Sequence, residues 1–366
     1  MPAAQYLATE TLMSETTKKL VRRREVSQSI NQYGVFPVTV SGVRRLSEHF
    51  VRVSLTGRSL HHAASAISDG TGQVYDAYIK LLVPPAHASG PTMIELDDTW
   101  RQRWMAQPVE DRGHMRTYTV QNSRMVPAVG MDETPLLGMF PAAEADLSVL
   151  ERPLPIGVQP EIDIDFVLHQ DDAGQLGPAA AWAASAQVGQ QVSFLAPLRG
   201  SGLWSSWNPA PSHNLLMLTD ETAAPATLSI LRTLPAHASG TVLCEVPGQG
   251  DNLAVLSDVQ DVTRRLPQLT VKFLPREPNS ERGERLAHEL HSVFNLPETE
   301  TYHYTDTTAA DEVVWGLAEE NAETYVFIAG ESSVIKTLRR MCVNEAGIAK
   351  ENISFMGYWK CGRAES

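Results

Sequence analysis

The sequence predicts an antiparallel six-stranded β-barrel followed by a doubly wound α/β domain with a parallel sheet. Two observations lead to this prediction. Apolar residues alternate with a period of two in the first half, and short apolar strands alternate with helices in the second half. The length of 366 residues suits about two domains. We expect an N-terminal arm over 1–34, a barrel domain over 35–205 and an α/β domain over 212–366.

The composition excludes several classes of protein. Hydrophobic residues make up 43% of the chain and charged residues 20%, which is typical of a folded globular protein. The formal net charge of −13 argues against nucleic-acid binding, because a nucleic-acid partner requires a basic face. The same charge repels an anionic substrate, so such a substrate would need a local basic patch.

Targeting signals and cysteine usage favour a cytoplasmic protein. No apolar run approaches about 18 residues, so we expect no membrane span. The N-terminus lacks an apolar stretch behind a basic start and does not resemble a secretory signal. Cys244, Cys342 and Cys361 are widely spaced, which predicts neither a disulfide framework nor a zinc site. We expect no metal site, and a monomer is the default expectation.

Alternating segments in the first half predict the barrel strands. Their apolar side chains share one face and their polar side chains the other, in residues 51–55, 76–84, 161–169 and 190–197. A short helix is predicted over 179–186. Six prolines interrupt the pattern over 125–160, which predicts a long loop inserted into the barrel.

The second half predicts strands and helices in alternation, as in a parallel sheet covered on both faces. The strands are predicted over 215–218, 242–246, 269–274 and 325–330, and the helices over 225–234, 281–294 and 310–322, with a further helix after residue 333. The terminal pair Tyr358-Trp359 is expected either at the domain interface or in simple packing.

The tetrapeptide Arg116-Thr117-Tyr118-Thr119 is the most informative short motif. A flavin requires an aromatic ring against its isoalloxazine, a hydroxyl near N5 and a cation for its pyrophosphate, and this motif contains all three. Alternate side chains of a strand share a face, so Arg116 and Tyr118 point one way. Thr119 would then reach the flavin through strand curvature or its backbone. A half-exposed barrel strand without a ligand explains the same residues.

A second candidate segment lies downstream. His169 ends a predicted strand, and Gly177-Pro178 opens an Ala-rich run that predicts a helix with proline in its first turn. A helix N-terminus presents free N–H groups and the positive end of the dipole, which suits a pyrophosphate. The alternatives are an ordinary helix start, a polar residue at a strand end and, for Trp182, a core side chain.

Two strand-to-helix turns of the second half are candidate nucleotide contacts. Residues 219–225 (TDETAAP) follow one apolar strand, and residues 330–333 (GESS) follow another. Doubly wound sheets bind ligands at this carboxyl edge, although the chain contains no GxGxxG fingerprint. Asp220 and Glu221 would repel a pyrophosphate, so they either contact ribose hydroxyls or cap the helix.

These segments, in this order, resemble the siderophore-interacting protein family, a branch of the ferredoxin-reductase-like flavoenzymes. The resemblance runs from about residue 35 to residue 363. Its strongest stretches are RTYTV (116–120), DFVLH (165–169), GPAAAWAA (177–184), TDETAAPATLSILRTLP (219–235), AGESSVIKTLRR (329–340) and GYWKCG (357–362). Residues 220–225 form an acidic turn where the wider superfamily commonly has a glycine-rich one. In this respect the chain resembles the siderophore-interacting branch.

The resemblance implies a reductase that holds FAD, takes electrons from NADPH or NADH, and reduces a ferric siderophore so that iron leaves as Fe(II). It implies that Thr119 is the catalytic contact at the flavin edge. The implied flavin contacts are Arg116, Thr117, Tyr118, Thr119, His169, Gly177, Pro178, Ala179, Ala180 and Trp182; the implied nicotinamide contacts are Asp220, Glu221, Thr222, Gly330, Glu331 and Ser332. Two alternatives stay open: a reductase of this architecture with another acceptor, and a non-catalytic protein that binds ferric siderophore.

A ferric siderophore is often anionic, so basic residues near the supposed cleft are candidate contacts. These residues are Lys80, Lys336, Arg339, Arg340, Lys360 and Arg363. Each of them is also explained as ordinary solvated surface.

The chain departs from the family pattern in one motif. The family usually has a second arginine soon after the RxYT strand, where Gln121 stands here, and Arg124 is a possible substitute. No arginine is identified that would pair with a 2′-phosphate, so the preference for NADPH follows from the family alone.

Overall fold

The computed structural model describes residues 33–128, 154–170, 174–207, 214–296, 315–318 and 324–361. Nearly all of the predicted N-terminal arm, most of the predicted insertion and Arg363 lie outside these residues. Two separate sheets form within them. In this described part, no helix is long and apolar enough to span a bilayer.

The first sheet is antiparallel and has seven strands in the spatial order β4-β3-β7-β1-β2-β6-β5. The strands are β1 (Tyr33–Arg45), β2 (Phe50–Thr56), β3 (Tyr78–Val83), β4 (His114–Thr119), β5 (Asn122–Pro127), β6 (Val158–Val167) and β7 (Gln191–Pro197). The predicted count was six, whereas the structure has seven strands, including β5 at residues that partly fall in the predicted loop. These consecutive strands lie at opposite edges of the sheet, as in a half-open barrel.

The barrel core follows the predicted period of two. In β2 the side chains of Val51, Val53 and Leu55 are buried, while Arg52 and Ser54 between them are half-buried. Burying each such apolar side chain contributes about 1.5–3 kcal/mol, which fixes which face of the strand points inward. The prediction of an antiparallel barrel is confirmed.

Short helices connect the strands of this barrel. They are α1 (Ser65–Ser68), α2 (Trp100–Ala106), α3 (Val109–Arg112) and α4 (Pro178–Ser185), with a 3-10 turn at Arg58–His62. The predicted helix start at Gly177-Pro178 is confirmed, since Gly177 is the N-cap and Pro178 the first helical residue. Trp182 and Ala183 of α4 are buried in the barrel core, which anchors the helix beside β6.

The predicted loop over 125–160 was too long at both ends. Residues 125–127 belong to β5 and residues 158–160 to β6, and the two strands pair from Pro127 opposite Val158 to Asn122 opposite Asp163. The prolines at these ends had suggested a loop. Pro127 is tolerated because β5 is an edge strand, and Pro160 lies near the start of β6, one residue before the pairing of β6 with β2 begins.

The second sheet has six strands in the order β10-β9-β8-β12-β13-β11. The strands are β8 (Asn214–Thr219), β9 (Ser239–Val246), β10 (Leu269–Pro275), β11 (Trp315–Gly316), β12 (Thr324–Glu331) and β13 (Ile353–Trp359); the helices are α5 (Ala224–Thr233), α6 (Gln249–Arg265), α7 (Glu284–Phe294) and α8 (Ser332–Asn344), with a 3-10 turn at Lys350–Asn352. All pairs are parallel except β11 with β13.

Helices cover both faces of this sheet. In β8, Leu215 and Met217 pack in the same cluster as buried residues of α5 and α6, whereas Leu216 and Leu218 pack with those of α7 and α8. Successive side chains of a strand point to opposite faces, so α5 and α6 lie on one side and α7 and α8 on the other. The predicted doubly wound domain is confirmed.

The predicted helix over 310–322 was wrong where it is described. Trp315 and Gly316 form the short edge strand β11, antiparallel to Met356 and Phe355 of β13. Gly316 permits this pairing, because a Cβ there would lie 2.6 Å from the Phe355 ring. A single glycine at a close approach outweighed the helical spacing of the flanking residues.

A buried carboxylate fastens the segment between the two sheets. Asp76 is fully buried and accepts hydrogen bonds from the backbone N–H groups of Ser206 at 2.8 Å and Trp207 at 3.0 Å, and from the Ser205 and Ser206 hydroxyls. The Trp207 ring then packs edge-on against Tyr325 of β12, with ring centroids 5.1 Å apart. The linker is therefore attached to both sheets.

Candidate functional site

The candidate site is the boundary where strand ends of the barrel meet the carboxyl edge of the second sheet. His169, two residues beyond β6, stacks on Trp359 of β13 with ring centroids 5.2 Å apart. On the β1–β2 turn, His49 Nδ1 lies 2.8 Å from the Asp251 carboxylate in the first turn of α6. These contacts bring the predicted flavin side and the predicted nicotinamide side together.

Strand β4 presents the Arg-Thr-Tyr-Thr motif on its two faces, as the period of two predicts. Tyr118 pairs with Ile79 of β3 and lies against the inner core, with its ring centroid 4.3 Å from that of Phe166. Thr117 points the other way and accepts a hydrogen bond from Lys80 Nζ. Thr119 is almost buried at the end of the strand, on the same face as Thr117.

The start of helix α4 lies beside this strand. Trp182 packs on Phe166 with ring centroids 5.7 Å apart, so α4 and Tyr118 share one aromatic neighbour. A Cβ added to Gly177 would meet nothing within 4 Å, which leaves the helix start open to a ligand. The first backbone N–H groups of a helix have no intrahelical acceptor, so this turn has donors to offer.

His169 is neutral at physiological pH. Burial, followed by the neighbouring positive charges of Arg282, Arg276 and His49, lowers its pKa to about 3. Its Nδ1 is 3.8 Å from the Glu221 carboxylate, a pair that would favour the charged ring. The arginines already compensate Glu221, so burial decides and the ring stays uncharged.

Asp220 connects the two predicted strand-to-helix turns. Its carboxylate accepts from the N–H of Thr222 at 2.8 Å and from the N–H of Glu331 at 2.7 Å. Gly330, with φ of 147°, is required at this approach, because a Cβ there would lie 2.4 Å from the Asp220 carboxyl carbon. Asp220 therefore does not cap α5, which begins after Ala223 without a side-chain cap; its carboxylate joins the two turns instead.

Glu331 and Ser332 hold the end of the chain against the same edge. Glu331 caps α8, accepting from Ser333 N–H at 2.7 Å and Val334 N–H at 3.0 Å, and its other oxygen accepts from Cys361 N–H at 3.1 Å. The Ser332 hydroxyl donates to the Trp359 carbonyl at 2.8 Å. These contacts position the aromatic pair Tyr358-Trp359 at the domain interface.

Glu221 is the centre of an ion cluster that the sequence did not reveal. It is fully buried and pairs with Arg276, 2.8 Å away, and with Arg282. Arg276 also donates to buried Glu245 at 2.9 Å. Burial raises the pKa of Glu245, while the Gly283 N–H and Arg276 act in the opposite direction. Arg276 directly follows β10, and that position at a strand's carboxyl end was the available signal.

The basic residues predicted for a substrate lie on different parts of the molecule. Lys80 is in the barrel beside Thr117, whereas Arg339 of α8 lies over the Phe355 ring at 4.7 Å in the second domain. Lys336 is half-buried on α8, and Lys360 is half-buried after β13. Arg363 lies outside the described residues. Their role stays a prediction.

Arg124 has barrel partners of its own. Its guanidinium pairs with Glu161 and Asp163 of β6. Buried Gln121 instead faces Arg232 of α5, and with its amide oxygen turned to that side it accepts from Nη1 at 2.6 Å and Nη2 at 2.8 Å. Arg232, from the other domain, therefore supplies the positive charge next to the position where the family has its second arginine.

Three buried ring nitrogens at this boundary have no hydrogen-bond partner among the described residues. They are Trp182 Nε1, His169 Nε2 and Trp359 Nε1. An unpaired buried polar group costs about 1–3 kcal/mol, so such groups mark places where a partner is missing. Burial, followed by the charge of Asp76, raises the pKa of Tyr358 well above its ordinary value, which keeps the hydroxyl a donor. Indole and phenol donors suit the carbonyl, hydroxyl and phosphate oxygens of FAD.

The fold and the cleft define a two-domain, ferredoxin-reductase-like protein, with a half-barrel and an α/β sheet around a shared boundary. Residues 39–128 and 157–201 match the siderophore-interacting FAD-binding domain, and residues 212–362 match the siderophore-interacting protein model. Together the two matches cover most of the chain. The chain therefore belongs to the siderophore-interacting protein family, and its first domain is the FAD-binding one.

Curated relatives match over part of their length. The ferric vibriobactin reductase ViuB of Vibrio cholerae is 29% identical over 206 residues, which is 56% of this chain and 61% of that protein. The ferric acinetobactin reductase of Acinetobacter baumannii is 27% identical over 213 residues, 57% of this chain and 59% of that protein. The chain thus spans about three fifths of these relatives.

Solved structures support the fold. A siderophore utilization protein from T. fusca superposes with a TM-score of 0.55 at 20% identity, covering 91% of this chain and 95% of that one. The siderophore-interacting protein SipS from Aeromonas hydrophila gives a TM-score of 0.50 at 21% identity, covering 89% and 98%. The shared architecture extends over both domains.

Proposed function

We propose that this protein takes electrons from NADPH or NADH, passes them through FAD, and reduces a ferric siderophore so that iron is released as Fe(II). Membership of the family supports the siderophore as substrate, and the printed names of the two curated reductases support reduction as the reaction. The proposed place of action is the cytoplasm, and the proposed form is a monomer.

In this proposal the barrel side of the cleft holds FAD. Arg116 would bind its phosphates, Tyr118 would lie against its ring system, and the open helix start at Gly177 would donate N–H groups to its diphosphate. Thr119, nearly buried beside Tyr358, would contact the reactive edge. FAD supplies the redox chemistry, accepting a hydride and releasing electrons one at a time, which matches a one-electron ferric acceptor.

The second side of the cleft would bind the nicotinamide coenzyme. Asp220, Glu331 and Ser332 shape the edge through their hydrogen bonds, while Thr222 and Gly330 complete the two turns. The parallel sheet places these turns at adjacent strand ends, where doubly wound domains bind nucleotides. Neutral His169 and the aromatic pair Tyr358-Trp359 at the end of β13 would cover this edge.

A ferric siderophore would be attracted by local basic residues against the average field of a chain with net charge −13. The candidates are Lys80, Lys336, Arg339, Arg340, Lys360 and Arg363. Iron(III) prefers hard oxygen ligands more strongly than iron(II), so reduction weakens the chelate and lets the metal leave. No protein ligand to iron is required by this chemistry.

The observation that supports the proposal most directly is the group of unpaired buried donors at the boundary of a matched FAD-binding domain. An absorbance spectrum of the purified protein tests it. We expect flavin bands, bleaching on anaerobic addition of NADPH or NADH, and their return when a ferric siderophore is added. Colourless protein that cannot be reconstituted with FAD would refute the proposal. Reduced flavin that is reoxidised by small redox proteins but not by ferric chelates would instead indicate another acceptor.

A further inference from the structure

The turn that joins β4 to β5 is hydrogen-bonded to three other parts of the molecule. The Val120 N–H donates to the Ala77 carbonyl just before β3 at 2.8 Å, and the Gln121 N–H donates to the Asp163 carbonyl of β6 at 2.8 Å. Arg232, in the last turn of α5, donates to the backbone carbonyl of Gln121 at 3.4 Å. This two-residue turn therefore links both edges of the half-open barrel to the second domain.

The Gln121 side chain is a neutral acceptor between two cations. It is 1% exposed, and its amide oxygen accepts from Arg232 Nη1 at 2.6 Å, from Arg232 Nη2 at 2.8 Å and from Arg52 Nη2 at 3.3 Å. Buried Asp165 orients Arg52, because its two carboxylate oxygens accept from Nε at 2.6 Å and from Nη2 at 2.8 Å. The contact between Arg232 and Gln121 uses two donors of one planar guanidinium, so it fixes the direction of approach across the domain boundary.

Only a hydrogen-bond acceptor fits at position 121, because guanidinium groups carry donors and no acceptor. An arginine there would bring a third cation against Arg52 and Arg232, while both oxygens of Asp165 are already engaged by Arg52. Repulsion between charges buried from water is only weakly screened. Gln121 and Arg232 therefore form a matched acceptor and donor, one from each domain.

We propose that Arg232 is a positioning residue for the flavin edge, which acts by holding Gln121 and with it the turn that follows Thr119. Thr119 is the last residue of β4, nearly buried, and only two positions before Gln121. Because α5 holds this turn from the second domain, the position of the Thr119 hydroxyl depends on both domains and not on the barrel alone. This inference rests on the proposed function, which assigns Thr119 to the reactive edge of FAD.

A double-mutant cycle on the full-length, flavin-loaded protein tests this pair. The readouts are the visible circular dichroism of bound FAD, which reports on the surroundings of the ring system, and the dissociation constant of FAD, measured on dilution. We expect Gln121→Arg and Arg232→Gln each to change the spectrum and to weaken FAD binding by about threefold to tenfold, as loss of a hydrogen bond to a charged group implies. The double variant that exchanges the two residues should recover most of the wild-type spectrum and affinity, because one cation again faces one amide.

Gln268→Arg and Arg264→Gln are the matched controls, because they make the same two changes at exposed positions of the second domain, and both should leave the spectrum and the affinity unchanged. Arg232→Lys keeps the charge without the planar fork and should fall between the wild type and Arg232→Gln, which keeps the test open if Gln121→Arg does not fold.

The inference is overturned by any of three results. In the first, Arg232→Gln keeps the wild-type spectrum and an FAD affinity within twofold of the wild type. In the second, the exchanged double variant is no better than the single variants, and in the third, a control variant shows the same loss. Neither readout involves ferric reduction, so absence of that activity would refute the proposed function and leave these results standing.

Discussion

The two sides of the cleft satisfy their polar groups in opposite ways. On the barrel side, Trp182 Nε1 and His169 Nε2 are buried without a partner in the described structure, and Trp359 Nε1 of β13 is in the same state at the boundary. On the opposite side, the carboxylates of Asp220, Glu221 and Glu331 are all paired with N–H groups or arginines. The ring donors therefore lack a partner, whereas the acidic groups of the two turns are satisfied within the protein. This is the difference expected between a resident cofactor and a coenzyme that binds and leaves in each turnover.

The largest expected effect comes from removing an arginine that pairs with the buried carboxylates of the second domain. Arg276→Met removes the cation shared by two fully buried glutamates, so we expect a loss of about 3–5 kcal/mol in the free energy of unfolding. Urea denaturation measures this loss. Arg264→Met, at an exposed position, should change stability by less than about 0.5 kcal/mol. A loss below 1 kcal/mol for Arg276→Met would show that Glu221 and Glu245 do not depend on it.

The next largest effect concerns FAD binding on the barrel side of the cleft. Arg116→Ala and Tyr118→Ala should each weaken FAD binding by about tenfold or more, because we propose that Arg116 binds the phosphates and Tyr118 contacts the ring system. The ratio of flavin to protein absorbance after purification measures occupancy. Arg112→Ala is the control and should keep its flavin. Arg112 is a nearby arginine whose guanidinium lies over the Trp104 ring at 5.5 Å. Full occupancy in both site variants would contradict the assignment of β4.

A smaller effect concerns the cap of α8. Glu331→Gln removes the charge that accepts from Ser333 and Val334 and that holds Cys361, so we expect a loss of about 1–2 kcal/mol in stability. Thermal and urea unfolding measure it. Glu351→Gln, on the exposed 3-10 turn, is the control and should be nearly neutral. If the two variants are equally stable, the hydrogen bonds of the Glu331 carboxylate do not contribute to the stability of this side of the cleft.

The smallest effect is a pH dependence at the stack between the two sides. The pKa of His169 is about 3 in the folded protein and 6.5 in the unfolded chain, so the unfolded state binds more protons between these values. Its contribution to stability is present above pH 6.5 and is lost as the pH falls toward 3, with a slope of at most about 1.4 kcal/mol per pH unit.

His169→Gln abolishes this titration and tests the sign. Between pH 7 and pH 6 the variant should lose about 0.7 kcal/mol less stability than the wild type, as measured by urea unfolding at both values. His237→Gln provides a histidine control outside the cleft. A parallel decline in wild type and His169→Gln would show that the folded protein accepts the proton on His169.

The sequence was informative where a residue acts through its own strand or turn. The alternation in residues 51–55 identified the inner face of β2, and Gly177-Pro178 identified the start of α4. The faces of β4 also followed from its period, which placed Tyr118 inward and Thr117 outward. These features depend on local geometry, which a residue pattern states directly.

The sequence was uninformative where a residue acts through a distant partner. Glu221 and Arg276 are 55 positions apart, and their pairing depends on the order of β8, β9 and β10 in the sheet. The same is true of Arg232, which meets Gln121 across the domain boundary. Charges that come together only after folding leave no characteristic spacing in the chain, so the residue pattern did not reveal this cluster.

The buried carboxylate of Asp76 has a consequence for catalysis. Its carboxylate accepts hydrogen bonds from the backbone of the segment that follows the barrel. The Ser206 carbonyl of that segment accepts a hydrogen bond from the Tyr325 hydroxyl of the second sheet at 3.4 Å. Moving one lobe away from the other would break this hydrogen bond and the packing of the Trp207 ring on Tyr325 and Phe327. We therefore expect the two lobes to keep the same relative orientation throughout turnover. The distance over which electrons are transferred would then be fixed before any substrate binds.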